Sequence, residues 1–309
     1  MRTSARRLSI GFTTSFLCMA LAGHILATAA TWRDKYPTVS FSVISSENEA
    51  DRIARHQKMI AYLEKTLGVK VKLHVATEYA GTIEAMKSGK VEFAQFGPAS
   101  YAAAWDITGG KIEPILAGTD SVGNLGYYSV IAVKTDSPFK SLADLKGKSF
   151  AFADPNSTSG YLAPSFFFRK QGYPPEKFFG RTGFSGSHEN SILAVLNGTY
   201  DAAATFWDDD RIGNVQRMEE KGMVPKGQIR FIWKSPKLPG DPVYAVRKDL
   251  PEELRAAIKA ALLAMPEADP DAWKDLTGNK YKTLKEVSHA DYADIVEMRR
   301  ENLKERRGN

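Results

Sequence analysis

Strand-like and helix-like stretches alternate along most of this chain, and the helix-like stretches repeatedly stop at a glycine; that order leaves few folds open. Val39, Phe41 and Val43 alternate with Ser40 and Ser42 as a first strand. Ser45-Ser46-Glu47-Asn48 offers capping residues before Ile53, Ile60, Leu63 and Leu67, which recur at near-helical spacing until Gly68. Val69, Val71, Leu73 and Val75 alternate as a second strand, and a short helix (Ile83, Met86) ends at Gly89. Val91 to Phe96 is a third strand, after which Gly97-Pro98-Ala99-Ser100 opens another helix. Such β-α-β-α order implies an open α/β sheet.

Beyond Tyr127-Tyr128 the pattern restarts, with strands over Val130–Val133 and Lys148–Ala153. Ile192, Leu193, Val195 and Leu196 give an apolar-faced helix closed by Gly198, followed by a strand over Tyr200, Ala202, Ala204 and Phe206. The stretch from Ser88 to Ala94 echoes that from Asn197 to Ala203: helix end, glycine, acidic residue and small residue fall in register. This fits two domains of like topology. Ile229, Phe231 and Trp233 form a strand leading to Ser235–Pro242, whose three prolines exclude regular structure and mark a linker or shaped loop. A strand over Val243–Val246, a helix over Glu252–Met265 and a basic helix after Ser288-His289-Ala290-Asp291 follow.

The N-terminus reads differently. Arg2, Arg6 and Arg7 precede a mostly apolar run from Leu8 to Leu26, and Ala27-Thr28-Ala29 fits small-x-small cleavage, so residues 1–29 are expected to be a signal peptide. Leu17 before Cys18 is not the small residue a lipoprotein signal needs. Cys18 is the only cysteine, so a mature chain has no disulfide and must stand on its own core; the remaining length suffices for two domains. The net charge of +6 falls to +3 without the three leader arginines, too weak a basic balance to argue for nucleic acid. No later apolar run is long enough to cross a bilayer.

Chemistry concentrates at Asp154-Pro155-Asn156-Ser157-Thr158-Ser159-Gly160, between the strand ending at Ala153 and a helix expected over Tyr161–Gln171. Free N–H groups at a helix N-terminus, with three hydroxyls and no cation, make a neutral anion site; the same residues can equally close the helix as a cap. His188 opens a helix and is either a capping histidine or a functional one. Asp208-Asp209-Asp210 is either a solvated run or a weak cation site, and Asp241 in Pro-Gly-Asp-Pro is in form a turn residue. No two histidines have metal-ligand spacing, and nothing assembles a nucleophile, a base and an orienter. No enzyme, metal or cofactor is expected.

At these residues the chain resembles the phosphonate-binding proteins of bacterial ABC importers. The resemblance rests on Glu78-Tyr79-Ala80-Gly81, Phe96-Gly97-Pro98, Gly126-Tyr127, the 154–160 turn, His188-Glu189-Asn190, and Trp233-Lys234-Ser235-Pro236 with Pro239-Gly240-Asp241-Pro242, spanning roughly residues 40 to 250. It implies a two-lobed, type II periplasmic binding fold, each lobe an α/β sandwich, with a two-stranded hinge. One lobe would hold residues 30–127 and 236–309, the other 128–235. Tyr79 and Tyr127 would line the cleft. Ser157, Thr158 and Ser159 would hold the phosphonate oxygens beside His188. Asp209 and Asp241 would receive the ammonium of 2-aminoethylphosphonate, though binders of that ligand can carry the longer Glu where Asp209 stands. Phosphite, methylphosphonate or another small oxyanion is the alternative ligand. The implied partner is the membrane permease of an ABC importer, and the implied compartment is the periplasm.

Overall fold

The computed structural model describes residues 31–278 and 280–308; the expected signal peptide and its cleavage site lie outside them. Among the described residues twelve strands form two sheets. In chain order they are β1 (Thr38–Val43), β2 (Lys70–Val75), β3 (Phe93–Phe96), β4 (Ile112–Gly118), β5 (Tyr128–Lys134), β6 (Ser149–Phe152), β7 (Arg181–Phe184), β8 (Ala202–Asp209), β9 (Ile212–Gly213), β10 (Ile229–Lys234), β11 (Val243–Arg247) and β12 (Leu284–Glu286). One sheet has the order β12-β4-β11-β3-β1-β2; the other has β10-β5-β8-β6-β7, with β9 paired to β8.

The two sheets share a plan. In the first, β1 is parallel to β2 and β3, and β11 closes antiparallel on β3. In the second, β6 is parallel to β7 and β8, and β5 closes antiparallel on β8. The echoed glycines fall at matching places. Gly89 (φ 72°) follows the helix Tyr79–Lys87 before β3, and Gly198 (φ 75°) follows the helix His188–Leu196 before β8. Both glycines hold a left-handed conformation that a side chain would strain.

Helices cover both faces of each sheet, so every lobe has two cores. Phe41, Phe93, Met59, Leu63, Leu254 and Ile258 form one side of the first lobe, and Ile83, Met86, Phe96, Tyr101 and Tyr292 the other. The second lobe packs Phe150, Phe152, Phe168 and Phe179 on one face and Ile192, Val195, Val215 and Met218 on the other. Fully burying each such side chain contributes roughly 1.5–3 kcal/mol.

The chain passes between sheets twice, from β4 to β5 and from β10 to β11. These two crossings lie side by side as an antiparallel bridge, with Tyr127 N–H donating to the Leu238 carbonyl at 3.3 Å and Leu238 N–H to that of Tyr127 at 2.8 Å. The proline-rich stretch is therefore one strap of the hinge. The carboxyl ends of β1, β3, β6 and β8 lead into the space between the sheets, the usual place for a ligand in open α/β folds.

Candidate ligand-binding cleft

The 154–160 turn is built by its own polar groups. Asp154 Oδ1 accepts from Asn156 N–H at 2.7 Å, and its Oδ2 accepts from Tyr79 N–H, across the cleft, at 3.4 Å. Ser157 Oγ accepts from Gly160 N–H at 3.0 Å, which caps the wide turn Thr158–Leu162; the α-helix Ala163–Lys170 continues it. The helical path thus begins at Thr158, earlier than the expected Tyr161, because Ser157 ends the extended backbone. Gly160 has no room for a side chain: a Cβ there would stand 2.5 Å from the Ala153 Cβ and 2.9 Å from His188 Cε1.

Ser157 Oγ also lies 3.0 Å from His188 Nε2, while His188 Nδ1 meets Thr205 Oγ1 at 3.2 Å. Burial, then Arg217 and Lys280, push the His188 pKa down to about 3, so the ring is a neutral donor and acceptor. Asn214 Nδ2–H donates to the His188 carbonyl at 2.9 Å and fixes the start of the helix His188–Leu196.

The facing wall comes from the other sheet. Thr158 Oγ1 accepts from Ala99 N–H at 2.8 Å, in the first turn of the helix Pro98–Ile107, whose N-cap is Gly97. Tyr79 begins the helix Tyr79–Lys87. Four helix N-termini, two from each lobe, therefore converge on the hydroxyl-rich turn, a concentration of positive partial charge. The Tyr79 and Tyr127 phenols lie beside Ser157 and beside Thr158 and Ser159, respectively; burial first, then nearby carboxylates, hold both protonated well above their ordinary range.

Tyr79, Tyr127, Ser157, Thr158, Ser159, His188 and Asp241 all line one cavity between the sheets. Asp209 does not. The pairing of β8 is irregular between Trp207 and Asp209, and the Asp209 carboxylate accepts from Ser121 Oγ–H at 3.2 Å and from Arg211 N–H at 2.8 Å. Asp208, at that irregularity, is nearly buried, with its side chain 5% exposed. The expectation of Asp209 among the cavity-lining residues is thus not met, and Asp208 is not among them either.

Asp208 is not free. Its Oδ2 lies 2.9 Å from Lys280 Nζ, which also stands over the rings of Phe206 (4.2 Å) and Tyr281 (5.0 Å). Lys280 and Tyr281 line the cavity as well. Asp241 has no protein donor on its carboxylate among the described hydrogen bonds; burial pushes its pKa up to about 7, against the pull of Lys280. Lys280 escaped the sequence reading because it follows a helix-stop glycine in an unremarkable Thr-Gly-Asn-Lys-Tyr run. No group of three metal-ligating side chains occurs among the described residues.

A family described as "ABC transporter, phosphonate, periplasmic substrate-binding protein" matches residues 41–292. The chain belongs to this family. It is 32% identical to the phosphonates-binding periplasmic protein of Escherichia coli over 81% of this chain and 71% of that one. It is 33% identical to a protein of Mycolicibacterium smegmatis called phosphate-import protein PhnD, over 80% of this chain and 79% of that one. A solved binding-protein component of an ABC phosphonate transporter from Pseudomonas aeruginosa superposes with a TM-score of 0.74 at 27% identity, covering 85% of each chain.

The fold is accordingly the two-lobed type II periplasmic binding fold, and this member is a transport binding protein, not an enzyme. Among the described residues no helix is long and apolar enough to cross a membrane. The family match extends past residue 250, where the sequence resemblance stopped, and so takes in Lys280 and Tyr281.

Proposed function

We propose that this protein captures small phosphonates between its lobes and delivers them to the membrane permease of an ABC importer, after export through the signal peptide at residues 1–29. One observation carries the reading of the site: the hydroxyls of Ser157, Thr158 and Ser159, the His188 imidazole and two protonated phenols surround one cavity at which four helix N-termini converge. Neutral donors suit a dianion, since each can give a charge-assisted bond of about 1.5–3 kcal/mol without a buried protein charge to desolvate.

The sequence points further, to 2-aminoethylphosphonate. Half of that reading keeps support, because the Asp241 carboxylate lines the cavity without a protein donor among the described hydrogen bonds and can accept an ammonium. The other half loses its residue: Asp209 does not line the cavity and Asp208 already holds Lys280. Methylphosphonate, phosphite or phosphate fits such a site as a second reading, and one relative carries the name of a phosphate importer. Titration calorimetry of the mature protein with methylphosphonate, 2-aminoethylphosphonate, phosphite and phosphate tests the class. Saturable one-to-one binding of a phosphonate, stronger than that of phosphate, is expected. Binding of phosphate alone, or of none of the four, would overturn phosphonate capture.

A further inference from the structure

Within the phosphonate reading above, on which this inference rests, the cation at the far end of the cleft decides what the ligand can carry. We propose that Lys280 is the specificity-determining residue of this site: its ammonium, held by Asp208 beside Asp241, takes the place a ligand ammonium would fill, so the protein selects phosphonates whose substituent bears no positive charge.

The geometry places this end within reach of a ligand bound at the turn. Asp241 Oδ1 and Thr158 Oγ1 each lie 3.4 Å from the point where a Gly97 Cβ would stand, so they are no more than twice that distance apart. Phe206 sets the spacing on the other side. Its ring packs edge-on to His188 with centroids 5.2 Å apart, and Lys280 Nζ stands 4.2 Å from that same ring. One aromatic ring therefore separates the oxyanion end of the cleft from the lysine. A substituent two carbons long, reaching from the hydroxyl turn towards Asp241, ends close to Lys280.

Charge then discriminates. Two carboxylates, Asp208 and Asp241, would favour an incoming ammonium if both were free. Lys280 neutralises one by direct contact at 2.9 Å and lines the same cavity as the second, so a ligand ammonium meets a fixed like charge between nearly buried groups, where such repulsion is weakly screened. The same lysine favours a phosphonate anion at the other end. Its side chain is 13% exposed and its ammonium is held over the Phe206 and Tyr281 rings, so it has little freedom to swing out.

The test is calorimetry with methylphosphonate and 2-aminoethylphosphonate on wild type, Lys280→Met and Asp208→Asn, at one pH and ionic strength, with thermal melts as a check on folding. Wild type is expected to favour methylphosphonate by at least tenfold. Lys280→Met is expected to weaken methylphosphonate and to move the ratio towards 2-aminoethylphosphonate by at least tenfold. Asp208→Asn leaves the lysine with Asp241 as its only partner, so it is expected to keep or widen the wild-type preference. The Asn variant preserves the test if the Met variant does not fold. A wild-type preference for 2-aminoethylphosphonate, a ratio unmoved by Lys280→Met, or a preference reversed by Asp208→Asn overturns the role of Lys280 while leaving phosphonate capture standing. No heat with either ligand on wild type overturns capture itself, and this inference with it.

Discussion

Ser157 and Thr158 show how one residue can be both a cap and a ligand-facing group. A hydroxyl has two lone pairs and one proton. Ser157 uses a lone pair on Gly160 N–H and Thr158 one on Ala99 N–H, and each still lines the cavity. The two readings that the sequence leaves open at this turn therefore do not compete. Thr158→Ala and Ser157→Ala are each expected to weaken phosphonate binding by about 1–3 kcal/mol, the range for losing one charge-assisted bond. Ser157→Ala should also lower the melting temperature, since a lost N-cap costs about 1 kcal/mol. Calorimetric affinities equal to wild type in both variants would reduce the turn to a cap. Seven of the eight residues named from the sequence line the cavity because short ordered motifs place backbone as well as side chains. Asp209 misses because three consecutive aspartates carry no mark of where each points, and the pairing of β8 is irregular between Trp207 and Asp209.

At the scale of elements, the strands that the sequence shows best are those with strict alternation or a helix-stop glycine shortly before them, such as β1, β3 and β8. β4 is hidden by Pro114, which sits where the β11 partner shifts register between Tyr244 and Ala245. β12, only three residues long, is too short to show a period. The helix Glu49–Leu67 was legible from Asn48 at its start, whose side chain accepts from Asp51 N–H at 3.0 Å, and from Gly68 (φ 69°) at its end. Its buried face was not legible, because it includes two polar residues, Arg52 and His56. His56 Nδ1 lies 2.6 Å from the Arg52 carbonyl, and burial, then Arg55, push the His56 pKa down to about 4. Between that value and the unfolded value near 6.5, the unfolded chain binds a proton that the folded chain does not. Stability contributed by neutral His56 is thus present above pH 6.5 and lost as pH falls towards 4. The slope is at most about 1.4 kcal/mol per pH unit for this one group. In His56→Gln the deficit relative to wild type should shrink from pH 7 to pH 4 in denaturant melts; a deficit constant across that window would show that His56 does not titrate on unfolding.

Across the whole molecule, the lobes are held to each other by charges that belong to neither the turn nor the hinge. Glu47, before the first-lobe helix Glu49–Leu67, is 1% exposed at its side chain and faces Arg217 at 3.6 Å and Lys221 at 3.5 Å from the second lobe, with Arg55 of its own lobe also paired to it. Burial alone would raise the Glu47 pKa, but Arg55, Arg217 and Lys221 outweigh it and bring it down to about 2. Lys221 also reaches Asp51 at 2.5 Å and Glu189 at 3.3 Å, and Glu189, next to His188, accepts from Asn48 N–H at 2.9 Å. Closure and the position of His188 are therefore coupled through adjacent residues on one helix. Exposed pairs contribute little, about 0–1 kcal/mol each, but a shared lysine on three carboxylates at the cleft mouth is lost as a unit when the lobes part. Lys221→Met is expected to shift the lobe equilibrium towards opening by about 1 kcal/mol, roughly fivefold. Ligand affinity should fall by a similar factor, because only the closed form completes the cavity wall. Salt should mimic the variant: raising ionic strength from about 0.01 M to 0.5 M shortens the Debye length from about 30 Å to a few Å and should open wild type more than Lys221→Met. Fluorescence transfer between labels on the two lobes, followed over that salt range, decides it. Equal salt responses in the two proteins would mean that Lys221 is solvated in the closed form and holds nothing.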